Sequence, residues 1–257
     1  MSHVFGLHAV AALIERDPGR VRVVHVQRGR RDQRMTELVQ SARGRGIRVE
    51  VADRTWLDRL ASGGSHQGVV ADCHALSPIG EKAFEEHFER LPAPHLFLVL
   101  DGVTDPRNLG ACLRSANAAG VQAVLLPRRR SAPLSEAALK TAAGGAEGLL
   151  LVEVANLARR LEWLKQRGVW IVGAAGDAET LWSDADLTVS CAIVVGGEGQ
   201  GMRALTEKLC DLRARIPMLG TVGSLNVSVA AGILLFEAVR QRGLPGERPV
   251  ASGARPS

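Results

Sequence analysis

The hydrophobic and polar positions of this chain follow two periods, one typical of strands and one typical of helices. Short runs of aliphatic and β-branched residues indicate buried strands, whereas apolar residues three or four positions apart indicate helices. The predicted strands span residues 21–26, 47–51, 68–73, 96–103, 121–126, 149–154, 169–174 and 188–195. The predicted helices span residues 6–16, 34–43, 53–61, 106–119, 135–143, 156–167, 203–211 and, after a glycine-bearing turn, the apolar stretch 225–239. This alternation predicts an α/β protein with a parallel sheet covered on both faces.

A change in composition divides the pattern into two α/β units. Residues 1–73 form a small unit that is rich in arginine and contains no lysine, and residues 96–243 form a larger unit. The segment 74–95 is acidic and carries prolines near both ends, which predicts a linker. The final stretch, 244–257, is rich in Pro, Gly, Arg and Ser and is predicted to be disordered.

Charge adds a candidate partner to this picture. The 257 residues carry a net charge of +5, and the sequence pI is near 9.5, which is compatible with a nucleic-acid partner but also with a merely basic enzyme. The basic loop 27–31 is the best candidate for RNA contact in the small unit, and a solvated turn explains it almost as well. No stretch reaches the roughly 20 apolar residues of a membrane span, and no signal peptide is evident. We therefore expect a cytoplasmic protein.

The placement of cysteine and histidine excludes several kinds of site. The four cysteines, Cys73, Cys112, Cys191 and Cys210, lack CxxC spacing and are expected to be buried, reduced thiols. All seven histidines precede residue 96, so the larger unit has no imidazole base and no histidine-ligated metal. What remains there are carboxylates, amides, hydroxyls and arginine, which suit a displacement reaction that depends on positioning better than hydrolysis.

The first candidate motif is DGVTDPRNLGACLR at residues 101–114. Its proline is expected to open a helix, so that Asn108 lies beside the carboxyl end of the preceding strand. Arg114 follows six residues later and is expected to lie on roughly the same helix face, where its charge could meet a negatively charged backbone. An Asp-capped helix whose arginine points to water explains the same residues.

Two further motifs follow later strands. IVVGGEGQGM holds Glu198 among glycines from Gly196 onward, and glycines allow backbone to approach a ligand closely. IPMLGTVGSLNVSVA brings Ser224 or Asn226 to the start of the apolar helix as an N-cap. Because loops at the carboxyl ends of parallel strands meet in one crevice, we interpret this region as a small-molecule cofactor pocket. GGEGQG alone resembles a dinucleotide fingerprint, but it lies too late in the chain for that role.

Together, in order and spacing, the three motifs resemble those of the SpoU family of RNA 2′-O-ribose methyltransferases. FGLHAV near the N-terminus and SHQGVVA at residues 65–71 resemble the members that carry an added RNA-binding domain. The sequence departs from the family at none of its key positions. The resemblance implies transfer of a methyl group from S-adenosylmethionine to the ribose 2′-hydroxyl of a guanosine in the peptidyl-transferase region of 23S rRNA, as a contribution to ribosome biogenesis.

The resemblance also implies a fold and site roles. Residues 96–243 would form a domain with a deep trefoil knot, preceded by an L30e-like domain at 1–73 that selects the RNA, and the protein would be a homodimer with active sites near the interface. Arg114 would hold a phosphate and stabilise developing alkoxide charge, a role that suits a permanently charged guanidinium better than deprotonation of the hydroxyl. The residues implied to orient the reacting groups are Asn108, Glu198, Ser224 and Asn226, and those implied to contact the cofactor are Gly196, Ile216 and Leu225.

Three alternatives stay open at this stage. One is a tRNA ribose methyltransferase of the same family, although the added N-terminal domain favours rRNA. Another is an RNA-binding protein that has lost catalysis, against which the intact Arg114, Asn108 and Asn226 argue. The third is a nicotinamide-dependent oxidoreductase, which rests only on the glycine cluster. DNA is not expected as a substrate because it lacks the 2′-hydroxyl.

Overall fold

Two β-sheets organise the computed structural model, which describes residues 2–30 and 32–243. The elements of the first sheet are β1 (Ser2–Phe5), α1 (Leu7–Arg16), a short 3-10 turn (Pro18–Arg20), β2 (Val21–Gln27), α2 (Gln33–Gly44), β3 (Arg48–Ala52), α3 (Arg54–Leu60) and β4 (Val69–Cys73). The strand order is β1-β4-β2-β3; β2 and β3 run parallel, and β4 is antiparallel to both β1 and β2. β1 was not predicted, because four residues are too few to show a period.

The second sheet contains the remaining elements. In chain order they are α4 (Glu81–Phe88), β5 (Leu96–Asp101), α5 (Pro106–Ala118), β6 (Ala123–Pro127), α6 (Glu136–Ala142), a 3-10 turn (Gly145–Gly148), β7 (Leu150–Val154), α7 (Leu157–Lys165), β8 (Trp170–Ala174), β9 (Thr180–Leu181), β10 (Cys191–Gly196), α8 (Ala204–Leu209), β11 (Leu212–Arg215) and α9 (Val227–Arg242). The strand order is β7-β6-β5-β10-β8-β11-β9, and every neighbouring pair is parallel. The predicted α/β class with a parallel main sheet is confirmed.

The parallel sheet separates two apolar cores. Every residue of β5 is buried, and successive side chains alternate between the faces: Phe97 and Val99 join one core, whereas Leu98 and Leu100 join the other. Helices α5, α6 and α9 supply apolar side chains to the core around Leu98, and α4 and α7 supply them to the core around Phe97. The unbroken apolar strand is therefore explained by burial on both faces.

The segment 74–95, predicted as a linker, is not a free tether. The backbone of Ile79 pairs with β7, its N–H donating to Leu151 O at 2.8 Å. Helix α4 buries Phe84 and Phe88, which lie four residues apart and therefore on one face, against the sheet. Two acidic residues of this helix pair with the buried Arg160 of α7. Their charge and the flanking prolines suggested a linker, whereas the phenylalanine spacing determines the packing.

Several boundaries also differ from the sequence prediction. The helix expected over 203–211 ends at Leu209, and β11 begins three residues later. Its sequence, LRAR, does alternate, but four residues are too few to reveal a strand. The two-residue strand β9 was not predicted, and the strand expected over 188–195 starts at Cys191. The stretch 244–257, predicted to be disordered, lies outside the described residues. Within the described part of the chain, no helix has both the length and the apolar character to cross a membrane.

The two sheets are joined through α1. Arg20 Nη1 lies 2.6 Å from Glu147 Oε2, and both side chains are largely buried. Arg16 donates to the carbonyl oxygen of Gly148, which belongs to the same 3-10 turn. This turn in turn packs on α5: a Cβ on Gly145 would lie only 2.9 Å from the Cα atom of Arg114. The N-terminal unit is thus docked on the back of the helix that begins with the first motif.

Candidate active site at the carboxyl ends of β5 and β10

The strand order creates a crevice between β5 and β10. From β5 the chain continues outward to β6 and β7, then crosses to β8 and β9 on the other side, and β10 later inserts beside β5. Gly196 is in register with Asp101, so both strands end at the same level. The loops that follow them, 102–105 and 197–203, therefore open at a topological switch point, where open parallel sheets bind ligands.

Glycine is required where these two loops meet. A Cβ on Gly197 would lie 2.3 Å from the carbonyl oxygen of Gly102, and a Cβ on Gly196 would lie 1.9 Å from the carbonyl carbon of Gly201. Gly201 N donates to Gly197 O at 3.1 Å and closes the second loop on itself. The glycine cluster that the sequence singled out therefore lets backbone pack on backbone.

An ion pair between an exposed arginine and a buried carboxylate fixes the second loop to the first strand. The carboxylate of Asp101 is almost fully buried. Its Oδ2 accepts from Arg203 N at 2.9 Å, and its Oδ1 accepts from Arg203 Nε at 2.6 Å. The sequence analysis did not assign this role to Arg203, because the two residues lie 102 positions apart and no local pattern links them.

Three side chains from the three motifs form one hydrogen-bonded network. Asn108 Nδ2 donates to Glu198 Oε1. Asn226 Nδ2 donates to Asn108 Oδ1 at 2.9 Å and lies 3.4 Å from the same Glu198 oxygen. Two amide groups thus converge on one carboxylate at the mouth of the crevice. We refer to Asn108, Glu198 and Asn226 as the amide–carboxylate network.

Helix caps hold two members of this network in place. Asp105 caps α5, its Oδ1 accepting from Arg107 N at 2.6 Å and from Asn108 N at 3.3 Å. Asn226 caps α9, its Oδ1 accepting from Ser228 N at 2.9 Å, as the sequence predicted for this position. Because each cap satisfies otherwise unpaired helix amides, the fold itself sets where these side chains begin.

A pocket of about 400 Å³ opens beside the network. Its walls are residues 101–105 and parts of the second loop, and Asn108 and Glu198 line it. Arg130, from the loop after β6, also lines it. The sequence analysis missed this residue; the only available signal was the run of three arginines at 128–130, which directly follows a strand end.

Arg114 does not join the network in this chain. Six residues along a helix correspond to a rotation of about 600°, which places Arg114 about 120° away from Asn108 around α5. Its side chain is exposed, and no described residue forms a hydrogen bond with it. The prediction that the two residues share a helix face was wrong, although Arg114 remains on the helix that carries Asn108.

The loop between β11 and α9 leads to Asn226 and therefore borders the mouth of the crevice. Leu219 is 97% exposed and Val222 is 61% exposed. Ser224 is exposed as well, and its side chain forms no hydrogen bond with the described residues. Ile216 and Leu225 are half-buried. The roles predicted for Ser224, Ile216 and Leu225 therefore stay predictions.

The cysteines are not nucleophiles in this arrangement. Cys73, Cys112 and Cys191 are buried and Cys210 is half-buried, and all four are free thiols. Burial raises the pKa of Cys112, on α5, to about 12 and that of Cys191, on β10, to about 11. Both groups therefore stay protonated near neutral pH and serve as core residues.

The basic loop of the N-terminal unit is largely engaged within the chain. Arg28 Nε lies 3.2 Å from Asp53 Oδ1, and Arg30 Nε lies 2.6 Å from Asp32 Oδ2. Arg30 also donates to the carbonyl oxygen of Gln67 at 2.5 Å. These side chains remain partly or largely exposed, so the loop stays a candidate for RNA contact, with Arg28 and Arg30 each paired with a neighbouring acid.

Two family models match the chain, one on each sheet. The model described as the SpoU rRNA Methylase family matches residues 95–236, which include the network and the pocket. The model described as RNA 2′-O ribose methyltransferase substrate binding matches residues 3–79, which include the four-stranded sheet.

Individual proteins are similar over most of the length. A protein of Yersinia pestis named 23S rRNA (guanosine-2′-O-)-methyltransferase RlmB is 51% identical over 241 residues, which are 94% of this chain and 98% of that protein. The structure of the SpoU methyltransferase AviRb from Streptomyces viridochromogenes in complex with AdoMet has a TM-score of 0.70 and 24% identity, covering 93% of this chain and 90% of that one. A TrmH/SpoU tRNA modifying enzyme of A. aeolicus has a TM-score of 0.54 and 30% identity, but it covers only 62% of this chain and 84% of its own.

Proposed function

The chain belongs to the SpoU rRNA methylase family, and we propose that it methylates the ribose 2′-hydroxyl of a guanosine in 23S rRNA with S-adenosylmethionine as the donor. The observation that carries this function is the amide–carboxylate network: residues from all three motifs meet at the carboxyl ends of β5 and β10. Identity of 51% over 94% of the chain to a 23S rRNA guanosine methyltransferase supports the substrate class. The target lies in the peptidyl-transferase region, the reaction contributes to ribosome biogenesis, and the protein works in the cytoplasm.

The crevice fits S-adenosylmethionine. Gly196 and Gly199 carry no Cβ, and a Cβ added at Gly199, whose φ is +75°, would have no neighbouring atom within 4 Å. Amides of the second loop, with Ile216 and Leu225 on the opposite side, would hold the cofactor largely through backbone groups. When bound, it supplies a sulfonium methyl group that a ribose 2′-oxygen can displace in line.

The chain's own polar groups would position the ribose. The network holds Asn108 and Asn226 with their amides fixed by one carboxylate, so that they orient the nucleotide without reorganising during the reaction. Ser224, two residues before Asn226, would complete the set of orienting groups. Arg114 holds a phosphate and stabilises the developing alkoxide, because a guanidinium keeps its proton in proteins and is a poor base.

A second copy of the chain would complete the site. α9 exposes Val229 and Phe236, two turns apart on one face, and each is about half exposed. The face between them borders α5, where a Cβ on Gly232 would lie 3.7 Å from Ser115 Oγ, next to Arg114. A homodimer that buries this apolar face would bring Arg114 of one copy towards the network of the other, which accounts for an arginine that stands apart within a single chain.

We also propose the remaining architecture from family membership. The strand order supports a deep trefoil knot in residues 96–243, because the late strands β10 and β11 each insert between strands formed earlier. We propose that residues 1–73 form an L30e-like domain that selects the RNA; the substrate-binding model on residues 3–79 supports this role. The same unit weakens the tRNA alternative, since the tRNA modifying enzyme covers only 62% of this chain.

Transfer of labelled methyl from S-adenosylmethionine tests this function. Transcripts of the peptidyl-transferase region of 23S rRNA are compared with bulk tRNA, and the labelled nucleotide is then identified. We expect label at a guanosine 2′-oxygen in the rRNA alone. Label in tRNA would favour the alternative substrate, and binding of cofactor without label in either RNA would indicate a silent RNA-binding protein.

Arg114→Ala tests the role of the isolated arginine. We expect transfer to fall by at least about a hundredfold, since charge stabilisation of this kind contributes roughly 3 kcal/mol or more, while cofactor affinity stays nearly unchanged. Arg159→Ala is a matched control, because Arg159 is an exposed helix arginine on α7, which packs on the other face of the sheet. Loss of cofactor binding in the Arg114 variant, measured by calorimetry, would contradict this assignment.

A further inference from the structure

The loop after β6 brings a cation to the pocket from outside the three motifs. Residues 128–130 are three consecutive arginines, and all of their side chains are exposed. Arg128 Nε lies 2.7 Å from Glu153 Oε1 on the neighbouring strand β7 and is therefore paired. Arg130, in contrast, lines the pocket beside Asn108 and Glu198.

The backbone of this loop is held in an unfavourable conformation at Arg130. Its φ is +61°, in the left-handed region that residues with a Cβ rarely adopt. Two residues later, Ala132 N donates to Val103 O at 2.8 Å and ties the loop to the one that follows β5. Glycine or asparagine would occupy the left-handed conformation at lower cost. An arginine there points to a function of its side chain, since strained residues gather at ligand sites.

The charges around the pocket leave the guanidinium of Arg130 available. Asp101 is paired with Arg203, Asp105 caps α5, and Glu198 accepts from two amides. Within residues 2–30 and 32–243, no carboxylate lies within ion-pair distance of Arg130. The pocket therefore has carboxylates that are already engaged and one exposed cation that is not, which favours an external anion.

We propose that Arg130 binds a phosphate of the RNA strand next to the target nucleotide, and that this pocket receives that part of the strand. The proposal rests on the proposed function, which brings a ribose to the amide–carboxylate network. RNA carries a phosphate at every nucleotide, so a ribose at Asn108 brings phosphates to the adjoining pocket. A guanidinium suits this contact because it can donate two parallel hydrogen bonds to one phosphate. The competing anion is the carboxylate of S-adenosylmethionine.

Four proteins distinguish these anions: the wild type, Arg130→Gly, Arg130→Lys and Arg129→Ala. Glycine at 130 keeps the left-handed backbone and removes only the side chain, so this variant is expected to fold. Arg129→Ala removes an adjacent exposed arginine that does not line the pocket. Binding of a fluorescent 23S rRNA fragment is measured by anisotropy at several salt concentrations, and binding of S-adenosylmethionine is measured by calorimetry.

We expect Arg130→Gly to weaken RNA binding about tenfold at low salt and to reduce the slope of log K against log salt by about one, as for one lost phosphate contact. Arg130→Lys should keep the slope and lose less affinity, because it retains the charge without the fork of donors. Cofactor affinity should be equal in all four proteins, and Arg129→Ala should bind RNA like the wild type.

Two results would overturn the proposal. If Arg130→Gly bound RNA as tightly as Arg129→Ala, Arg130 would not contact an RNA phosphate. A selective loss of cofactor affinity would instead assign Arg130 to the cofactor's carboxylate. Because RNA binding is read without methyl transfer, failure of the proposed function has a different signature: the wild type would bind the fragment but label no 2′-oxygen. The two hypotheses therefore fail separately.

Discussion

The two sides of the crevice differ in how completely one chain builds them. On the closed side, loops 102–105 and 197–203 pack backbone against backbone, and the hydrogen bonds of Arg203 to the buried carboxylate of Asp101 hold the second loop to β5. On the open side, the loop between β11 and α9 exposes Leu219 almost completely, and Ser224 makes no side-chain hydrogen bond among the described residues. One side is organised before any ligand arrives, and the other is not.

This difference separates two physical requirements of the proposed reaction. Groups that stabilise developing charge act best when they are already oriented, because reorganisation then costs nothing during the reaction. A loop that admits a cofactor and faces a second copy of the chain must instead gain its contacts on binding. The exposed apolar residues Leu219 and Val222 fit the second requirement. The comparison predicts that equal substitutions on the two sides have unequal effects.

The largest inequality is expected between two glycine-to-alanine changes. In Gly197→Ala the new Cβ would lie 2.3 Å from the carbonyl oxygen of Gly102, so one loop must move. We expect a loss of roughly 3 kcal/mol of stability, together with most cofactor binding and methyl transfer. In Gly220→Ala no atom lies within 4 Å of the added Cβ, and stability should change by less than about 0.5 kcal/mol.

Thermal unfolding, calorimetry with S-adenosylmethionine and the methyl-transfer assay measure this pair. The closed side would not be rigid if Gly197→Ala unfolded at the wild-type temperature and still bound cofactor. Equal destabilisation by Gly220→Ala would instead show that the open loop is packed within one chain. Either result would remove the contrast between the two sides.

A second, smaller effect tests what covers the open side. Phe236→Glu places a charge on the exposed apolar face of α9 and should shift a homodimer to monomers at micromolar concentrations, because an unpaired charge in an interface is costly. Methyl transfer should fall to the extent that the dimer dissociates, while the thermal stability of the monomer changes little. Light scattering coupled to size exclusion measures the mass. Val51→Asp is the control, since Val51 is exposed on β3, far along the chain from this face.

If Phe236→Glu had the same mass in solution as the wild type, or if the wild type were a monomer, a second copy of the chain would not cover the exposed face of α9. A dimer that dissociates but retains full transfer would show that Arg114 acts within its own chain. In that case α5 or the open loop would have to rearrange when RNA binds.

The same contrast explains which features the sequence could predict. Asn226 as the N-cap of α9 and the buried strand β5 are local patterns of a few residues, and both are confirmed. Asn108 and Glu198 form a hydrogen bond although they lie 90 positions apart. The order of the motifs suggested that these residues are close, but no sequence periodicity could predict the hydrogen bond between them.

Other features had no usable local signal. The Asp101–Arg203 pair depends on strand order, because β10 becomes the neighbour of β5 only after the chain has crossed the sheet. Arg130 approaches the pocket because the backbone of Ala132 is tied to Val103, which is a tertiary contact. Helix geometry alone could have corrected the prediction for Arg114, since a side chain six residues further along a helix does not point to the same face.

The smallest structural change is expected in the unmodified protein, where bound cofactor should make the loop between β11 and α9 less accessible to protease. Thermolysin, which cuts before large apolar residues, should cleave near Leu219 and Val222 long before it cleaves in loop 197–203. S-adenosylmethionine at 100 times its Kd should slow that cleavage up to about a hundredfold, since binding stabilises the cofactor-bound, protected conformation of this loop by about 2.7 kcal/mol. Mass spectrometry of the first fragments identifies the cut. If loop 197–203 were cleaved first, or if cofactor did not change the cleavage rate, the loop between β11 and α9 would not be the side that opens.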